Sequence, residues 1–175
     1  MTELLLKKAE AIRLVIFDVD GVLTAGELFY GPTKIELKAF HVQDGQGMKM
    51  LQQSGVTIAI ITARQSEAVS QRMDDLKISH VYQNQSDKLA AYEKLKESLK
   101  LDDKQIACVG DDLPDLPLLR RAGLSVTVPN APIIMQEHAH WVTRAASGNG
   151  VAREVCDLIM RAQNTYQPLI EHYLR

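Results

Sequence analysis

The sequence predicts an α/β fold, a doubly wound parallel sheet with helices on both faces. Two observations carry that prediction. Short apolar runs rich in β-branched residues recur along the chain, first Leu14-Val15-Ile16-Phe17 and then residues 56–61. Continuous runs of this kind are strands buried on both faces. Stretches of helical periodicity separate them, and strands alternating with helices build parallel sheets. A third observation concerns chemistry: three of the apolar runs end in polar residues, and strand ends in such a sheet share one edge, where ligands bind.

In chain order, residues 2–10 read as a short helix starting near Thr2, and residues 13–17 as the first strand. That strand runs into Asp18-Val19-Asp20-Gly21, so two carboxylates stand at its carboxyl end. Residues 24–40 change pattern. Two strand-like runs, 27–30 and 35–40, flank Gly31-Pro32-Thr33-Lys34, which predicts a β-hairpin inserted directly after the first strand. A lone hairpin with this many apolar residues is marginal, so it is expected to lean on another surface. Asp44 reads as the cap of a helix carrying Met48, Met50 and Leu51 and ending at Ser54-Gly55. The second buried strand, 56–61, ends in Thr62-Ala63-Arg64, and a helix spans 66–76. A short strand at 80–82 precedes a helix over 87–100, with Lys88 in its first turn. The strand 105–109 ends in Gly110-Asp111-Asp112-Leu113-Pro114-Asp115. A helix at 116–122, a strand at 124–128, a helix at 131–137 and a strand at 141–142 follow. A helix from about 151 to 163 and a tail over 164–175 close the chain.

The 175 residues suit one domain, without internal repeat or linker, and 46% hydrophobic residues argue against disorder. A net charge of −2 points to no nucleic-acid or membrane partner, and no stretch is apolar enough to span a bilayer. Cys108 and Cys156 lack metal-ligand spacing and read as buried structural thiols, so a reducing cytoplasm is the expected compartment.

The polar strand ends have a joint logic. Several aspartates in one crevice call for a divalent cation, and an all-oxygen set suits Mg²⁺. A carboxylate can attack phosphorus and form an aspartyl phosphate. A second acid can protonate the leaving oxygen and then deprotonate water. A hydroxyl and a lysine can hold the phosphoryl oxygens. Asp18, Asp20, Thr62, Lys88 and Asp111, in this order, provide each of these groups.

With those residues in hand, the chain resembles the haloacid-dehalogenase-like phosphohydrolases over nearly its whole length. The resemblance implies a Rossmann-like fold with Asp18 as nucleophile and Asp20 as general acid/base. Asp20 would also offer its main-chain carbonyl to Mg²⁺. Thr62 would bind phosphate, Lys88 would neutralise charge, and Asp111 would ligate the metal directly. Asp112 and Asp115 would support that metal set from behind. Only a hairpin fills the first gap, and Thr62 to Lys88 is too short for a domain, so no cap domain is expected. The hairpin, Asp44-Gly45-Gln46-Gly47 and Ser147-Gly148-Asn149-Gly150 are similar to the capless members acting on 3-deoxy-D-manno-octulosonate 8-phosphate. That similarity implies lipopolysaccharide synthesis, a phosphorylated sugar acid as substrate, and a homotetramer joined through the hairpins. A neighbouring subunit would help close each site. Arg64 would pair with the substrate carboxylate, since relatives acting on nine-carbon sialic-type acid phosphates carry Glu there. Arg72, two helical turns on, would face the same pocket. Ala63 departs from the Thr-Gly-Arg of this group. Two alternatives stay open, a phosphatase for nine-carbon or varied esters and a catalytically silent oligomerisation module. Against the latter, Asp18, Asp20, Lys88 and Asp111 are all present.

Overall fold

The computed structural model describes residues 2–30, 36–171, 173 and 174. The expected hairpin turn at Gly31-Pro32-Thr33-Lys34 lies outside the described residues. Six strands form one parallel sheet: β1 (Leu14–Phe17), β4 (Thr57–Ile61), β5 (His80–Tyr82), β6 (Ile106–Val109), β7 (Leu124–Thr127) and β8 (Trp141–Val142). Their order is β5-β4-β1-β6-β7-β8. β2 (Phe29–Tyr30) and β3 (Glu36–Leu37) pair antiparallel as a separate ribbon. Among the described residues, Phe29 pairs with Leu37 and Tyr30 with Glu36.

The strand order explains where a site can form. The chain starts in the middle at β1, moves outward through β4 to β5, then returns to the other side of β1 with β6. Consecutive connections therefore leave β1 and β6 in opposite directions, and such a switch point opens a crevice beyond the strands' carboxyl ends. The register has no offset, since Phe17 pairs with Val109, so Asp18 and Gly110 leave the sheet at one level. The Asp18 amide donates to the Val109 carbonyl at 3.0 Å, which fixes that level.

Helices cover both faces. α1 (Glu3–Glu10) and α2 (Val42–Gln53) pack with α7 (Val151–Ala162). α4 (Lys88–Leu99) packs with α5 (Leu116–Arg121), and α5 with α6 (Ile133–His138). Right-handed crossovers put the two sets on opposite faces. Between them lies one apolar core, centred on fully buried β1 and β6. Cys108 and Cys156 are buried in it, and burial pushes both thiols well up, so they serve as small core residues. The tail carries a further helix, α8 (Tyr166–Glu171), whose Tyr166, Leu169 and Ile170 pack on the core. No helix among the described residues is long and apolar enough to cross a membrane.

The structure corrects the expected role of Asp44. The α2 helix begins earlier, at Val42, with His41 at its cap position. Asp44 lies inside the first turn, is buried, and accepts a 2.7 Å hydrogen bond from the Arg153 amide. It thus caps α7 across the core. The Gly150 amide and Ala152 amide add to the same contact. The reason is the close approach of the two helices: a Cβ at Gly47 would meet Arg153 Cδ at 2.9 Å. The α2 start faces solvent, with Val42 81% exposed, and has less need of a protein acceptor. Asp44→Ala is expected to cost about 2 kcal/mol, because it leaves the first amides of α7 unsatisfied in the interior. A urea titration checks this through a lower midpoint at unchanged slope.

Candidate active site

Each candidate residue is placed by an identifiable local cause. Asp18 is the first residue past β1 and is buried. Gly21 turns the chain back with φ +99°, and a Cβ there would meet Asp111 Oδ2 at 2.0 Å. Glycine at this position is therefore what lets the first loop sit against the carboxylate of the fourth. Gly110 does the same for Asp115, whose Cβ stands 2.3 Å from where a Gly110 side chain would begin. Pro114 opens the short 3-10 turn Leu113–Asp115, which brings Asp115 back under the strand end. Lys88 is the first residue of α4, because Asp87 caps that helix by accepting from the Leu89 and Ala90 amides at 3.0 and 3.3 Å.

These placements bring Asp18, Lys88, Asp111 and Asp115 together. Lys88 Nζ donates to Asp18 Oδ1 and to Asp115 Oδ1, both at 2.6 Å, with Lys88, Asp18 and Asp115 all buried. Asp18, Asp111 and Asp115 each present a carboxylate oxygen, and the three oxygens lie within 4.8 Å of one another. Three carboxylates and one ammonium leave two net negative charges in a desolvated crevice, the charge one divalent cation balances. Hard oxygen donors of this kind suit Mg²⁺. The electrostatics agree. Burial pushes the Asp18 carboxyl up to about 8, with the Asp115 charge adding and Lys88 opposing. Burial likewise pushes Asp111 up to about 7, helped by Asp115 and Asp112. Burial alone would lower the Lys88 ammonium, but the Asp18 and Asp115 charges outweigh it and hold it above its usual range. A cation in this cluster favours the ionised carboxylates that burial opposes.

Asp115 is placed more centrally than a supporting role from behind requires. Its Oδ2 also accepts from the Asp111 amide at 3.3 Å, so it steadies the loop as well as the lysine. Asp112 stands apart, its Oδ1 accepting from the Leu113 amide at 2.8 Å to cap the 3-10 turn. Thr62 sits just past β4, buried, and its Oγ1 accepts from the Arg64 amide at 3.4 Å.

The side chain of Asp20 belongs to a second cluster. Lys38 donates to Asp20 Oδ1, and its Nζ lies 2.8 Å from Glu36 Oε1. Arg64 donates to Glu36 Oε2 at 2.6 Å, and its Nε stands 3.7 Å from Asp20 Oδ2. The Lys38 hydrogen bond holds the Glu36 carboxyl below its usual range, against burial, with Arg64 assisting. Two anions and two cations make this cluster neutral. The inserted hairpin thus reaches back over the site, and Glu36 and Lys38 are residues that sequence reasoning missed. A signal was there: two charges at alternate positions in an otherwise apolar ribbon project from one side.

Arg72 does not join either group. Its Nη2 donates to the His41 carbonyl at 3.2 Å, and its guanidinium lies 5.8 Å from the Phe40 ring centroid. It brackets the exit of the hairpin against α3 (Glu67–Asp75), where a Cβ at Gly45 would meet Arg72 Nη2 at 2.5 Å.

Comparison with known proteins adds to this geometry. A family profile described as haloacid dehalogenase-like hydrolase matches residues 78–155. The 3-deoxy-D-manno-octulosonate 8-phosphate phosphatase of Yersinia pestis is 46% identical over 159 residues, 91% of this chain and 85% of that protein. The enzyme of the same name from Escherichia coli K12 is 47% identical over 156 residues, 89% of this chain and 83% of that protein. The crystal structure of the Moraxella catarrhalis 3-deoxy-D-manno-octulosonate 8-phosphate phosphatase, with magnesium, phosphate and the sugar acid bound, superposes with a TM-score of 0.97. It is 42% identical and the match covers 99% of both chains.

The raised carboxyls make a pH signature. In chelator, Asp18 and Asp111 hold protons in the folded chain that they lose near pH 3.8 when unfolded. Their contribution to stability is full below about pH 3.8 and is lost as pH rises through about 7 to 8. The melting temperature in chelator is expected to fall by roughly 8–16 °C between pH 6 and 8.5. Added Mg²⁺ should restore more at the higher pH, since binding there displaces fewer protons. A scanning calorimetry series checks both, and a flat chelator profile would contradict the assignment.

Proposed function

The chain belongs to the haloacid dehalogenase-like hydrolases, and from that premise we propose that it is a Mg²⁺-dependent phosphatase of 3-deoxy-D-manno-octulosonate 8-phosphate. The observation that carries the chemistry is the buried Asp18–Lys88–Asp115 bridge with Asp111 beside it. The relatives named above carry the substrate. The step in which the freed sugar acid enters lipopolysaccharide synthesis follows from the same substrate.

The residues divide the reaction between them. Lys88 holds Asp18 Oδ1, which leaves Oδ2 to attack phosphorus. The new Asp18–phosphorus bond forms as the ester oxygen departs, and that oxygen takes a proton that Asp20 has first drawn from water. Asp20 Oδ1 is bonded by Lys38, while Oδ2, buried and 3.7 Å from Arg64 Nε, is the oxygen assigned to this exchange. Asp20 then takes a proton from water, whose oxygen attacks the aspartyl phosphate and releases phosphate and Asp18. Thr62 and Lys88 hold the phosphoryl oxygens through both steps. Asp18, Asp111 and the Asp20 main-chain carbonyl would hold the metal, with Asp115 as the third carboxylate of the cluster, bridged to Lys88. Bound there, Mg²⁺ neutralises charge on the phosphoryl group and favours the ionised nucleophile.

Arg64 borders the leaving-group side through its neighbour Asp20, and a guanidinium suits a substrate carboxylate. The hairpin's apolar residues favour assembly. Phe29 is 56% exposed and Leu37 66%, an apolar surface that a tetramer would cover, with the neighbouring subunit narrowing the site. The cytoplasm, where buried free thiols stay reduced, is the compartment that suits this chain.

Phosphate release from a panel of sugar phosphates tests the reading. The octulosonate ester should be preferred strongly over hexose phosphates and over a nine-carbon sialic-type 9-phosphate, and chelator should abolish turnover. Asp18→Asn should remove at least about 10³ of kcat while the protein stays folded. Arg64→Ala should raise KM for the octulosonate ester about tenfold and change an aryl phosphate far less. Equal loss on both would assign Arg64 to folding or catalysis rather than substrate choice.

A further inference from the structure

The neutral cluster contains a carboxylate that the reaction does not use. Glu36 lies on β3, and its two oxygens are divided between Lys38 and Arg64. The two contacts differ in kind. The Lys38 side chain is 1% exposed and also bonds Asp20, so it pins the ribbon to the catalytic loop. The Arg64 side chain is 39% exposed and Glu36 19%, so this contact is the more open of the two and the one a solute can displace.

We propose that Glu36 is a specificity-determining residue, an internal carboxylate that occupies Arg64 until a substrate carboxylate replaces it. This rests on the function proposed above, and deepens it. The charge balance favours the exchange. With Glu36 in place, Asp20 and Glu36 offset Lys38 and Arg64. When Glu36 swings out it also gives up its 2.8 Å contact with Lys38, which keeps Asp20, and a sugar-acid carboxylate beside Arg64 makes the cluster neutral again. A phosphate ester without a carboxylate has nothing to exchange. It must bind beneath the closed pair or leave the cluster with one positive charge in excess, and either costs affinity. Discrimination built on an internal competitor works against wrong partners as much as for the right one.

The experiment compares wild type with Glu36→Gln, which keeps the shape and removes the charge. Three readouts are taken: KM for octulosonate 8-phosphate, KM for an aryl phosphate, and inhibition of aryl phosphate cleavage by free octulosonate. Glu36→Gln should lower KM for the sugar-acid ester and Ki for free octulosonate roughly three- to tenfold, with a much smaller change for the aryl ester. In an Arg64→Ala background the same substitution should have no such effect, because the competitor has lost its site. Glu36→Ser, which cannot bond Arg64 at all, should shift KM in the same direction. A rise in KM for the sugar acid, equal shifts for both esters, or an effect that persists without Arg64 would overturn the proposal. If wild type fails to cleave the octulosonate ester while cleaving the aryl one, the proposed function falls. The inhibition constants then still decide the role of Glu36.

Discussion

The structure depends on burying more negative charge than the protein itself neutralises. Asp18, Asp111 and Asp115 meet at the one place in the sheet where neighbouring connections diverge, and only Lys88 answers them. Removing one partner of a buried charge cluster typically costs about 3–5 kcal/mol, so Lys88 has a structural task whatever else it does. The remaining imbalance is what burial expresses by pushing Asp18 and Asp111 up. A cation resolves the imbalance and favours the ionised form of Asp18, which on the proposed function is the attacking carboxylate. Stability and reactivity are therefore set by one electrostatic fact.

That arrangement demands unusual economy of backbone. Two glycines, Gly21 and Gly110, stand where any side chain would collide with Asp111 or Asp115. The Thr127 hydroxyl donates to the Gly110 carbonyl at 2.7 Å, which ties the fourth loop to β7 and limits its movement. The carboxylates are close because the loops are tight, and the loops hold because β1 and β6 beneath them are fully buried.

Much of this could be read in the sequence, and the part that could be read has a common cause. Asp18, Thr62, Lys88 and Asp111 follow directly on strands or open a capped helix, so local pattern locates them on the shared sheet edge. The α/β class and strand alternation were legible for the same reason. Residues whose partners lie far along the chain were not. Asp44 looks like a local cap, yet its acceptor serves an amide 109 residues away. Glu36 and Lys38 sit in a ribbon whose hydrophobic surface suggested only a docking role; their alternate spacing puts both charges on one side, but their partners Asp20 and Arg64 lie elsewhere in the chain. Arg72 errs the other way: its helical spacing from Arg64 suggested a shared pocket, but Phe40 and His41 hold it at the hairpin exit.

The two charge clusters explain why an inserted hairpin suits an enzyme without a cap. The cluster around Asp18 carries a deficit of positive charge and attracts a cation and the phosphoryl group it accompanies. The cluster around Asp20 is balanced, so it exerts little long-range pull and instead responds to chemical identity at contact. Asp20 belongs to both, through its place in the Asp18 loop and its bond to Lys38. On the proposed function, a hairpin that pins Asp20 with Lys38 and occupies Arg64 with Glu36 would couple leaving-group recognition to catalysis. It would do so where the described part of the ribbon meets the sheet edge.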